Sequence, residues 1–206
     1  AILYLVMLST TLNAAANVSP KSKKGSCTSA VSDSRNNQTP FFCAVNIGGQ
    51  AYTALDGTTY ETDNLAINNP RLSIASIKGS QDPELFKSYR QGRLKFSIDV
   101  PNGEYQVIFK FVEPQDIAVG ERIFNVYAEG QQVIDNLDIR LARDNKIHSA
   151  LVRTATHVKV IDKKLSFDFR PIKGQPLLAA LIIQQKQPRN KQWQLVWNDE
   201  FDSTAL

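Results

Sequence analysis

Two acids placed two residues apart, in Glu61-Thr62-Asp63, come closest to a catalytic pair in this sequence. Alternate positions on a strand share a face, and a retaining glycosidase needs two carboxylates about 5–5.5 Å apart. The third acid of such a strand is missing, because Asn64-Leu65-Ala66 follows. The segment therefore reads as a turn or loop lined with acids. Asp199 and Glu200 are adjacent and would project to opposite faces of a strand, which does not make a pair. There is no Gly-x-Ser-x-Gly elbow, no phosphate-cradling glycine loop and no His-Glu-x-x-His, so no catalytic residue is assigned.

What remains suits gripping a sugar rather than cleaving it. Aromatic rings stack on the apolar faces of pyranoses, while amides, carboxylates and guanidinium groups bind hydroxyls. The candidates are Tyr52, Tyr60, Glu61, Asp63, Tyr89, Arg90, Gln115, Asp116 and Gln175. Any one of the aromatics can equally serve as core packing. Tyr60, which follows the turn-rich Asp56-Gly57-Thr58-Thr59, is expected to be exposed.

The elements that position these groups read as strands. Leu94, Phe96, Ile98 and Val100 alternate with polar residues, Pro101-Asn102-Gly103 follows, and Tyr105, Val107, Phe109 and Phe111 alternate again. That pattern predicts a hairpin with one buried face. A second hairpin is expected over Phe124 to Val133 with its turn at Glu129-Gly130. Val158-Lys159-Val160 and Leu165 to Phe169 suggest further strands. The unbroken apolar run from Leu177 to Ile183 fits a central strand covered on both sides. No long 3.6-residue period competes, so the expected fold is all-β, a two-sheet antiparallel sandwich of jelly-roll type.

The chain has 206 residues, 42% of them hydrophobic, enough for one sizeable core. Its net charge is +4, but basic and acidic residues are interspersed and the one tight basic run is Lys21-Ser22-Lys23-Lys24. A nucleic-acid interface needs a patch or stripe, so that class is set aside. The apolar run from Ala1 to Leu8, followed by Ala14-Ala15-Ala16, reads as the remnant of a signal peptide over residues 1–16 and is too short to span a bilayer. The mature chain is then expected to be secreted and free of membrane.

Secretion favours pairing of Cys27 with Cys43, the two cysteines present, in an oxidising compartment. Two free thiols are the alternative. Metal binding is less favoured, since neither His148 nor His157 is spaced with a cysteine as zinc ligands are. No cofactor is implied, and a structural calcium is left open. Residues 17–40 read as a polar arm, with glycosylation acceptors at Asn17 and Asn37 in a eukaryotic host. Residues 186–192 read as a linker between the domain at 41–185 and a strand-like tail at 193–206.

Several segments, in order, resemble malectin and malectin-like domains. These are Ala44-Val45-Asn46-Ile47-Gly48-Gly49, the run Asp56 to Asp63, Glu84 to Arg90, Ile98 to Tyr105, Phe111-Val112-Glu113, Arg122 to Val126, Asn136 to Ile139, and Pro176 to Ile183. The resemblance implies a β-sandwich lectin that binds glucose-containing oligosaccharides through loops at one end, without catalysis. It places Tyr60 at an aromatic binding position. An aromatic pair of the family is replaced by Gln115 and Asp116, another aromatic falls on Gln91 or, with a shift of register, Tyr89, and an acidic position falls near Gly174 beside Gln175. The α-linked diglucose of animal malectins is then replaced by a different glucan.

The tail Trp193-Gln194-Leu195-Val196-Trp197-Asn198-Asp199-Glu200-Phe201-Asp202 resembles the first strand of glycoside hydrolase family sixteen, which includes laminarinases. The leading expectation is a non-catalytic module that binds a β-1,3-glucan such as laminarin and serves an appended catalytic domain. The alternatives are the front end of a secreted endo-β-glucanase, or a protein-interaction sandwich that binds no sugar.

Overall fold

The computed structural model describes Cys27 and residues 40–187. The expected signal remnant, both glycosylation acceptors, most of the polar arm, the end of the linker and the tail at 193–206 lie outside the described residues.

Strands form where β-branched and aromatic residues alternate with polar ones, and turns fall at Gly, Pro and Asn. In chain order the elements are β1 (Phe42–Asn46), β2 (Tyr52–Thr53), β3 (Thr59–Thr62), β4 (Arg71–Ser73), α1 (Glu84–Lys87), β5 (Ser88–Gln91), β6 (Lys95–Asp99) and β7 (Gly103–Val112). They continue with β8 (Ile123–Ala128), β9 (Gln131–Leu137), α2 (Ile139–Ala142), β10 (Ala150–Val160), β11 (Lys164–Lys173), β12 (Leu177–Leu178) and β13 (Ala180–Gln185). Six strands in the order β10-β7-β13-β1-β3-β2 make one sheet, and β6-β11-β8-β9 make the opposing one. A third, small sheet, β12-β5-β4, lies beside them. The fold is the expected all-β sandwich. Its pairing is antiparallel except between β1 and β3, which run parallel.

The core is aromatic where the two main sheets meet. Phe109 of β7 meets Phe167 and Phe169 of β11 edge-on, at centroid distances of 5.8 Å and 6.1 Å. Phe111 meets Phe124 of β8 at 5.8 Å. Such edge-to-face pairs add to the burial of large rings. The apolar run expected as one strand over Leu177 to Ile183 is divided: Leu177-Leu178 form β12 and pair with β5 in the small sheet, while from Ala180 it forms β13 at the centre of the larger sheet, hydrogen-bonded to both β1 and β7.

One expected hairpin is corrected. β6 pairs with β11, and β7 pairs with β10 and β13, so Pro101-Asn102-Gly103 carries the chain from one sheet to the other. Both apolar sets do face the core, but from opposite walls. Alternation fixes which face of a strand is buried and carries no information on whether its neighbour in sequence lies beside it or across the core. The corner is held by the Tyr105 hydroxyl donating to the Pro101 carbonyl at 2.5 Å and by the Lys163 N–H donating to Asn102 Oδ1 at 2.7 Å. The other expected hairpin, β8–β9, is present. Its turn residues Glu129 (φ 52°) and Gly130 (φ 73°) are both left-handed, as a two-residue turn matched to strand twist requires.

Cys27 and Cys43 are bridged, as expected. The bridge ties the arm to β1, and the Cys27 N–H donates to Glu61 Oε2 at 3.2 Å. Closing 16 residues removes loop entropy from the unfolded chain worth about 3 kcal/mol. Cys27→Ser is expected to lower the unfolding free energy by about that amount in urea titrations at pH 7. A loss below about 1 kcal/mol would show that other contacts hold the arm.

Candidate functional site

At the end of the sandwich where β7 stops, the chain must turn with its polar groups satisfied. Glu113 follows directly on the buried Phe111 and Val112 and is itself fully buried. Arg122, buried just before β8, donates Nε to Glu113 Oε2 at 2.7 Å and Nη2 to Glu113 Oε1 at 3.2 Å. The two-point match fixes the plane of the guanidinium. Its remaining donors reach outward, Nη2 to Gln115 Oε1 at 2.8 Å and Nη1 to the Gln175 carbonyl. Gln91 at the end of β5 donates its amide to Gln175 Oε1 at 3.0 Å. The buried cation thus holds the Gln115 side chain and the Gln175 backbone directly, and Gln91 at the end of β5 joins through Gln175, so that three amides from two loops and a strand end line one surface.

Neighbouring contacts stiffen that surface. His148 hydrogen-bonds the Pro114 carbonyl at 3.0 Å, and its N–H donates to the Glu113 carbonyl at 2.9 Å. Arg140 of α2 donates to Asp116 Oδ1 at 3.1 Å and to Asn145. Asp138 caps α2 by accepting from the Leu141 N–H and also takes the Gly120 N–H at 2.6 Å. Gly174 has φ +65°, and a Cβ there would stand 2.6 Å from the Glu121 carbonyl. Glycine is therefore required where the β11–β12 loop crosses the β7–β8 loop.

Gln115, Asp116 and Gln175 are exposed and brought together at this end. Tyr89 lies beneath them, buried, with burial pushing its hydroxyl up and Arg122 partly offsetting that shift. Asp63 and Arg90 are buried and structural. Asp63 accepts from the Gly48 and Leu65 N–H groups and from Arg90 Nε, while Arg90 also donates to the carbonyls of Ile67 and Asn69. Glu61 sits at the disulfide, away from the amides.

Tyr60 overturns its expectation. It is 1% exposed, lying on the outer face of the larger sheet beneath Lys110 Nζ, which stands 5.5 Å from its ring and 5.6 Å from that of Phe86. Burial pushes its hydroxyl well up, with Asp56 and Asp82 adding to the shift. The turn signal before it is real, but it belongs to residues 54–58, and β3 starts at Thr59. Gln91 is marked in the sequence only by the family resemblance, and Arg122 has no role assigned from it. A carboxylate closing one strand and an arginine opening the next was the signal for the latter. Among the described residues no three His, Cys, Asp or Glu side chains gather as a metal site.

With this geometry in view, a family model for the malectin domain matches residues 41–189. The chain belongs to the malectin domain family. Malectin-A of Xenopus laevis is 28% identical over 162 residues, covering 68% of this chain and 58% of its own length. Malectin of Homo sapiens is 29% identical over 105 residues, 47% of this chain and 36% of its own. The chain therefore spans less than two thirds of the length of these relatives. A β-glucuronidase from Bacteroides uniformis superposes with a TM-score of 0.63 at 19% identity, covering 71% of this chain and 18% of that one. The plant receptor-like kinase ANX2 gives 0.63 at 16% identity over 71% of this chain and 48% of that one. These two share the malectin domain's fold.

Two predictions follow from the burial of these groups. Arg122→Met is expected to cost about 3–5 kcal/mol of stability by stranding Glu113, and adding Glu113→Leu to recover much of it. Additive losses in the urea cycle would mean that the pair is not coupled. Tyr60→Ala is expected to cost about 3–5 kcal/mol as a cavity, and Tyr60→Phe no more than about 1 kcal/mol. A Tyr60→Ala protein as stable as wild type would place the ring outside the core.

Proposed function

We propose that this chain is a non-catalytic, extracellular saccharide-binding module that takes its ligand on the amide-lined end of the sandwich. The observation that carries this reading is the buried Arg122, which bonds the Gln115 amide and the Gln175 backbone, with Gln91 bonded in turn to the Gln175 amide, before any ligand arrives. Planar amides with fixed orientation suit the vicinal hydroxyls of a sugar and lower the ordering cost of binding. Asp116 adds an acceptor on the same rim.

The ligand favoured is a β-1,3-glucan such as laminarin. Its support is the resemblance of residues 193–202 to a laminarinase-type hydrolase strand, together with the occurrence of this fold within a β-glucuronidase. A module tied to such an enzyme raises local substrate concentration without lowering any barrier. The apolar run from Ala1 to Leu8 and the disulfide support an extracellular setting. The absence of exposed aromatics among Gln91, Gln115, Asp116 and Gln175 favours, as a second reading, a sandwich that meets protein rather than sugar.

Calorimetric titration of the full chain with laminarin, mixed-linkage glucan, agarose oligosaccharides and nigerose decides between these. Saturable binding to one glucan is expected, weakened about tenfold by Gln115→Ala with Gln175→Ala, with no reducing ends released. Binding untouched by the double variant sinks the site. No binding to any of the four sinks the glucan reading and leaves the interaction sandwich.

A further inference from the structure

Tyr52, singled out in the sequence for its ring, stands away from the amide end. It borders a groove of about 250 Å³ between the β1–β2 turn and the α1–β5 segment. At its base Asn46 is buried and fully engaged, its amide donating to the Gln50 carbonyl at 2.8 Å and its oxygen accepting from Ser88 Oγ at 3.0 Å. Gly49 lies against this pair so closely that a Cβ would fall 2.4 Å from Ser88 Oγ and 2.5 Å from Asn46 Nδ2. The floor is therefore preformed.

The walls have a definite chemistry. The Tyr52 hydroxyl donates to Asp82 Oδ1 at 3.0 Å, which fixes the orientation of its ring. The lining also includes Ser73, Glu84 and Lys87. Glu84 and Lys87 pair with each other, so the lining carries no net charge, and both remain part-exposed with oxygen and nitrogen to spare for a ligand. Apart from Ala51, the ring of Tyr52 is the one apolar wall. A charged ligand finds no net counter-charge here, and the lining offers hydroxyl, amide and charged groups beside its apolar surface. A small, neutral, polyhydroxylated ring finds an aromatic ring for stacking together with donors and acceptors in the same lining.

We propose that this groove is a second saccharide site, taking a single neutral pyranose unit at the Tyr52 ring. It shares a ligand class with the amide end but none of its residues. On β5, Ser88 and Gln91 are three residues apart and point to opposite faces of the strand, so one sugar residue cannot touch both. An open groove holding one ring binds weakly, with a dissociation constant on the order of 1 mM.

The test is nitrogen-15 NMR titration of the full chain with methyl glucopyranoside, galactopyranoside and mannopyranoside. Saturating shifts are expected at the Gly49, Gln50 and Ser88 amides with at least one of them. Ala51→Trp, which fills the groove from an exposed position, is expected to weaken them by about tenfold or more, whereas Tyr52→Phe, which keeps the ring, is expected to change them by no more than about threefold. Absence of saturating shifts at these amides overturns the proposal even if the amide end binds glucan, and so does their persistence in Ala51→Trp. Groove shifts in a protein that binds nothing at Gln115 and Gln175 uphold this site while removing the other.

Discussion

Carrying a guanidinium and a carboxylate out of water costs several kcal/mol per ion, and the loss is recovered only if every donor and acceptor is met. Arg122 and Glu113 sit at 3% and 0% side-chain exposure and meet that condition only with help from outside the pair. The carboxylate is also bonded by the Gln115 N–H at 3.1 Å. The guanidinium spends its remaining donors on Gln115 and on the Gln175 carbonyl. The β7–β8 and β11–β12 loops are therefore not free to wander, because moving either one strands a buried charge. The shape of this end of the sandwich follows from that constraint more than from the loops' own preferences.

A second buried pair repeats the device around the small sheet. Arg90 and Asp63, at 6% and 0% side-chain exposure, connect β5 to the segment after β3, and the spare donors of Arg90 hold the carbonyls of Ile67 and Asn69. Arg71 adds a bond to the Asp63 carbonyl at 2.6 Å. The irregular stretch between β3 and β4 thus has its backbone satisfied without regular structure. Each pair takes an arginine beside a strand end and uses it to fix loops, leaving amides and hydroxyls as the outward-facing chemistry.

Strand content, the β8–β9 hairpin, the buried run at Leu177 and the Cys27–Cys43 bridge were legible because local rules decide them: alternation, turn residues, compartment. The β6–β7 connection was not, because Pro101-Asn102-Gly103 serves equally for a turn within a sheet and a corner between sheets. Tyr60 misled for a related reason. A turn-rich segment predicts where the backbone reverses, while the side chain one residue into the next strand obeys the sheet, and here that face is covered by Phe86 and Lys110. Asp63 and Arg90 have the residue types of ligand-binding groups. Composition does not distinguish a charge that waits for a ligand from one already consumed by a partner 27 positions away in sequence.

The position of the amide end relative to the ends of the domain bears on how such a module can work. Phe41 and Gln185 exchange hydrogen bonds at 3.0 Å and 2.8 Å, and the Lys186 N–H donates to the Glu104 carbonyl at 2.7 Å. The chain thus enters and leaves beside the start of β7, whereas Glu113 and Gln115 follow its end. Ten residues of strand separate the two by about 30 Å. On the proposed reading, a saccharide on the amides would lie at the end of β7 opposite to Lys186. Binding of the proposed kind, by amides without stacked aromatics, would give up the stacking part of sugar recognition and retain the directional hydrogen-bonded part. That combination suits a long polymer with repeated, regularly oriented hydroxyls, where one weak contact is multiplied by the many equivalent positions at which it can form.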